Sequence, residues 1–173
     1  TRGATGNIST AMGFSTTASG GNSTAMGGAT IASGSNSTAM GVNTRAIGNT
    51  STTMGRGTEA SGTYSTAMGE STSASGNNST AMGRYTLASG YASTAMGESI
   101  ASGDNSTAMG RDTKASDYGS LVIGQYNSSG SSVTSSATAF STANTAFVIG
   151  NGANSVSSSD AFKVMFNGDT YVS

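Results

Sequence analysis

Apolar residues along this chain do not recur at helical spacing. Small apolar and hydroxyl-bearing residues alternate in short runs, and each run closes on a glycine. Gly stands at positions 6, 13, 20, 27, 34, 41, 48, 55, 62, 69, 76, 83, 90 and 97, every seventh residue. The complete unit is 14 residues: S-T-A-M-G, two variable residues, T-x-A-S-G, two variable residues. Ser23-Thr24-Ala25-Met26-Gly27 followed by Thr30-Ile31-Ala32-Ser33-Gly34 shows it in full. Runs this short cannot sustain a helix, and recurrent Gly weakens one further. A strand of about five residues between glycine turns fits the pattern. The repeat therefore predicts a β-solenoid, each unit forming one coil with two short strands. Successive coils would stack as parallel strands about 4.8 Å apart.

One irregularity supports this reading. Between Gly97 and Gly103 the chain is one residue short. Ser99-Ile100-Ala101-Ser102-Gly103 still fits the second strand, with Ser99 in the threonine slot, so the missing residue belongs to the turn. A turn tolerates such a loss, whereas a one-residue slip within a strand sends every side chain to the opposite face.

Alternation along each strand assigns the faces. In S-T-A-M, Ser and Ala share one face while Thr and Met share the other. In T-x-A-S, Thr and Ala point together. A narrow coil has room inside for Ala25, Thr30 and Ala32 but not for Met, so the Met column is expected on the outside. The alternative is a wider roll with Met inside and Ala outside. An outward column of Met12, Met26, Met40, Met54, Met68, Met82, Met96 and Met109, continued by Ile123, would be a long apolar stripe. Monomers rarely expose one, so the stripe predicts an oligomer whose copies meet along it. The outward position of the second strand (Thr17, Ile31, Arg45, Glu59, Ser73, Leu87, Ile100, Lys114) is mixed in the way solvent tolerates.

Composition narrows the function. The chain has 173 residues, 26 of them Gly, with no Pro, Cys, His or Trp and a formal net charge of -1. So little charge gives no footprint for nucleic acid. No His is present to activate the many hydroxyls, and Lys114 and Lys163 sit where the repeat or a hairpin explains them, so no catalytic residue is expected. Thiolate metal sites are excluded, the regular Asp of calcium-binding rolls is missing, and neither metal nor cofactor is expected. Asn-Ser-Thr at Asn22, Asn36, Asn78 and Asn105 matches a glycosylation acceptor, although an Asn column at strand starts explains all four more simply. Arg56, Glu70, Arg84, Glu98 and Arg111 share one repeat position with alternating sign and are expected to form a charge ladder. Arg84, Tyr85, Leu87, Tyr91 and Ile100 are the candidates for ligand contact, because Tyr and Arg dominate binding hot spots.

The unit Asn22-Ser23-Thr24-Ala25-Met26-Gly27, recurring over roughly residues 4–124, resembles the YadA-like head of trimeric autotransporter adhesins. Thr and Met stand where that family's N-S-V-A-I-G has Val and Ile, and the Met-rich form is similar to Burkholderia adhesin heads. The resemblance implies a left-handed parallel β-roll in a parallel homotrimer, with the Met column toward the symmetry axis. It also implies a place on the bacterial outer surface, and a membrane link only through an anchor C-terminal to these residues. The implied function is attachment to host cells or extracellular matrix proteins. An ice-binding or fibre-type solenoid is the alternative, disfavoured because an ice-binding face wants a uniform outward Thr row, whereas the outward column of the second strands is mixed and the uniform Thr columns face inward or toward the expected interface.

Residues 1–124 thus read as β-roll repeats and 125–150 as a head insert returning to the roll through Phe147-Val148-Ile149-Gly150. Within it, 128–143 is Ser/Thr-rich without a clear unit. Residues 151–173 read as a β-hairpin cap leading toward a neck or stalk, with Asn167-Gly168 at its turn.

Overall fold

The computed structural model describes residues 3–128, 130–132 and 135–173. Residues 1, 2, 129, 133 and 134 lie outside the described residues, and with them the start of the expected repeat region and part of the expected insert. The chain divides into two compact units, Thr1–Tyr85 and Thr86–Ser173.

In the first unit the S-T-A-M-G segments form Thr10–Phe14, Thr24–Gly28, Thr38–Val42, Thr52–Arg56, Thr66–Glu70 and Thr80–Arg84. These pair in parallel with no slip, so Met12, Met26, Met40, Met54, Met68 and Met82 are successive register partners. The second halves form two-residue strands from Gly3–Ala4 to Ser73–Ala74, stacked the same way. The fold is an all-β parallel solenoid with a coil of 14 residues, the offset between Thr24 and its partner Thr38.

The interior is made of the smallest side chains. Ala18, Ala25, Ala32, Ala39 and Ala46 are fully buried in one cluster, and Ser23 and Thr30 are buried with them. Ala25 is 0% exposed and Met26 37% exposed, which excludes the wide roll with Met inside. An interior Ser can bond within the turn before it: Ser23 Oγ donates to the Gly20 carbonyl at 2.7 Å, and Ser65 Oγ to that of Gly62 at 2.6 Å. Other interior hydroxyls, Ser37 and Ser79 Oγ and Thr30, Thr44, Thr58 and Thr72 Oγ1 among them, are buried with no hydrogen-bond partner among the described residues.

Two kinds of glycine hold the coils together. At Gly27 the backbone has φ +117°, outside the range comfortable for L side chains. At Gly20 the dihedral is ordinary, but a Cβ would stand 2.0 Å from the Gly34 carbonyl oxygen of the next coil. The stacking distance itself therefore forbids a side chain there. Turns also need left-handed residues, and Asn22, Asn36 and Asn78 supply them with φ of 54°, 56° and 59°. Asn adopts this region more readily than other non-glycine residues, which accounts for the Asn column without any appeal to glycosylation.

The second unit begins with the same architecture. Thr94–Ala101 and Thr107–Ala115 are continuous strands in parallel register, with an irregularity between Glu98 and Ser99. Glu98 pairs with Arg111 and Ser99 with Thr113, leaving Asp112 unmatched at φ 49°. The missing residue is therefore the left-handed turn residue. The strand runs on through the gap, as the next one does through Asp112.

Past residue 116 the interior grows larger. Leu121–Gln125 and Thr145–Asn151 pair in parallel, with Val122 and Val148 fully buried in the alanine slot. Asp117 stands where other coils have Gly and is 1% exposed. Its carboxylate accepts the backbone N–H of Thr145 at 2.9 Å and that of Ser135 at 3.4 Å, tying the returning strand to the roll. Asn144, also fully buried, accepts the Ser136 N–H and donates to the Ser136 and Ala139 carbonyls. Asp160–Met165 then turns back antiparallel on Thr145–Asn151, and Thr170–Val172 completes the hairpin.

Candidate interaction surface

The Met face follows from the alternation. Thr24 and Met26 point outward from the same strand, with Ala25 between them buried. In the first unit this gives two parallel outward columns, one of Thr10, Thr24, Thr38, Thr52, Thr66 and Thr80 and one of the six register-paired methionines. Met12, Met26 and Met54 are 55%, 37% and 40% exposed, while Met40, Met68 and Met82 are half-buried by their neighbours. In the second unit Met96 pairs with Met109, Met109 with Ile123, and Ile123 with Ile149. The accompanying Thr94 and Thr107 give way to Leu121 and Phe147. Ile149 and Phe147 extend the stripe past the residues that repeat spacing alone picks out. Their signal was the F-V-I-G run, which repeats L-V-I-G from the strand before.

The alternating charges occupy the ends of the first strands. Arg56 Nη1 lies 3.2 Å from Glu70 Oε1, and Glu70 is the register partner of Arg84. In the second unit Arg111 Nε lies 3.7 Å from Glu98 Oε2. A closer pair joins Arg45 and Glu59 at 2.8 Å on the second strands, where the mixed outward column had suggested no partnership. Opposite charges one unit apart were its signal. Apart from Glu98, whose side chain is 24% exposed, these groups are substantially exposed, so each exposed pair contributes only about 0–1 kcal/mol.

The contact candidates fall in both units. In the first, the Arg84 guanidinium sits 5.2 Å from the centroid of the Tyr85 ring, and Tyr85 is 62% exposed. In the second, Leu87 and Ile100 are register partners on the outward face, and Tyr91 in its turn is 53% exposed. Tyr64 has the same exposure as Tyr85 and was not among the candidates. Both are bulky aromatics in the left-handed region, at φ 58° and 54°, where the adjoining coils have Thr50 and Asn78 for Tyr64 and Ser71 for Tyr85. An aromatic at a left-handed turn position was the sequence signal that pointed to Tyr64.

Coils of this length, with small residues inside and a Met face outside, define a repetitive head-type solenoid. Comparison with known families matches residues 4–30, 32–58, 60–86 and 101–127 to the YadA head domain repeat (2 copies). These segments make up more than half of the chain, and the chain belongs to that family. Comparison with curated proteins found no match.

Proposed function

We propose that this chain is a non-catalytic adhesin head that works as a parallel homotrimer on the bacterial surface, attaching to host cells or matrix proteins. The observation that carries the reading is the Met column, outside the roll in every repeat and too extensive for a lone chain to leave in water. Met12, Met26, Met40, Met54, Met68, Met82, Met96, Met109 and Ile123 would form the interface. The family is one of trimeric surface adhesins, which supports three copies and an outer-surface location.

Removing the stripe from water leaves the second-strand faces and the turns for a ligand. There Arg84, Tyr85, Leu87, Tyr91 and Ile100 offer aromatic and guanidinium groups, the types that dominate hot spots. The charge ladder of Arg56, Glu70, Arg84, Glu98 and Arg111 has signs that cancel, so its expected role is to hold register along the turns rather than to attract a charged partner.

The test is a binding screen of the assembled protein against matrix proteins and intact host cells, with a Tyr85→Ala, Tyr91→Ala double variant alongside. Saturable binding that the double variant weakens, with its assembly and melting unchanged, supports the reading. No binding to any cell or matrix surface contradicts the adhesive function. Undiminished binding by the variant contradicts the assignment of those residues.

A further inference from the structure

The Met column has a chemical property that its geometry does not require. Ile123 and Ile149 occupy the same register position as Met109, so the face accepts a branched aliphatic side chain. Eight coils nonetheless carry a thioether there. Oxidation to the sulfoxide turns a flexible apolar side chain into a polar one and disrupts Met-rich interfaces. In the single chain these side chains lie at the surface, Met12 55% and Met54 40% exposed and the rest of the column exposed or half-buried. The interior of the repeats is built from Ala, Ser and Thr, so oxidation of the outer column leaves the roll's own packing untouched.

We propose that the Met column is an oxidation site that controls assembly: a two-electron oxidant acting on the unassembled chain blocks the pairing of copies along this face. With hydrogen peroxide, one peroxide oxygen is transferred to the thioether sulfur, forming the S–O bond as the O–O bond breaks. Sulfur loses two electrons, and the remaining hydroxide takes a proton and leaves as water. A hypohalous acid would do the same with halide as the leaving group. Each sulfoxide must then keep its hydration or bury a strong acceptor that the thioether never presented, served only by the Thr hydroxyls of the adjacent column, and stacking repeats that conflict in every coil. This inference rests on the assembly reading above.

The experiment starts from chains dissociated in denaturant. One portion is treated with hydrogen peroxide and another left untreated, and both are refolded in parallel. Peptide mapping reads sulfoxide at each Met, circular dichroism reads the β-roll, and light scattering reads the number of chains. A variant with Ile at positions 12, 26, 40, 54, 68, 82, 96 and 109 goes through the same steps. The expected result is that oxidised parent regains its β signal but stays a single chain at concentrations where untreated parent assembles, and that the Ile variant assembles with or without peroxide. Oxidised parent that assembles like the untreated protein, with sulfoxide verified along the column, overturns the inference. Untreated parent that refolds as a single chain overturns the assembly reading itself, a separate and recognisable failure.

Discussion

Ala25, Thr30 and Ala32 are interior because one coil leaves no room for anything larger, and Met26 is exterior for the same reason. That division was legible from alternation and size alone. The bonding inside was not. Ser and Thr both appear in the interior, and Ser23 and Ser65 satisfy their hydroxyls on a carbonyl three residues back, while Thr30, Thr44, Thr58 and Thr72, and likewise Ser37 and Ser79, do not. The division follows neither residue type nor repeat position, so spacing does not encode it. A buried hydroxyl without a partner costs about 1–3 kcal/mol. Thr44→Val, which replaces that hydroxyl with a methyl group of the same shape, should therefore raise stability by about 1 kcal/mol. Denaturant unfolding checks this. A loss of stability would mean that the hydroxyl is bonded in solution.

The turns and strands differ in what they tolerate, and the chain carries its own experiment. The coil at Glu98-Ser99 lacks the left-handed residue that Asp112 supplies in the next coil, and its strand runs on without loss of register beyond the gap. Ser71, at φ 53°, is the matching residue in an earlier coil. Its deletion should leave the β signal intact and lower the melting temperature by only a few degrees. Deletion of Ala67, within the strand, should abolish cooperative folding, because it sets Thr66 and Met68 on opposite faces and so sends one of them into the interior. The position of the gap was readable from the repeat, but the role of Asp117 was not. A Gly→Asp change looks like decay of the pattern. In the fold its carboxylate holds the N–H of Thr145 and so anchors the strand that resumes the roll. Sequence could not reveal this, because the partner lies 28 residues away across a segment without periodicity. Asp117→Ala should cost about 2–3 kcal/mol, as expected for a buried charged acceptor. Amide hydrogen exchange should show Thr145 losing protection while the strands of the first unit keep theirs.

At the scale of the whole molecule, the outward face of the first strands carries a chemistry that a lone copy does not explain. Its Thr and Met columns are uniform through the repeats, whereas the outward column of the second strands is mixed and carries the Arg45–Glu59 ion pair. A surface that only meets water has no reason to be uniform. A surface that meets another copy of itself coil by coil does. Burying one Met contributes about 1.5–3 kcal/mol as an upper range, and that gain repeats in each coil. A charge placed in that face would be stripped of water beside identical charges on the other copies, a cost of several kcal/mol. The most direct test of the account is therefore the mass in solution of the parent and of Met68→Lys, read by light scattering after size exclusion at micromolar concentration. The account predicts three chains for the parent and dissociation for the variant, both with the same β-rich circular dichroism. A parent that runs as one chain, or a variant that remains trimeric despite the added charge, would contradict it.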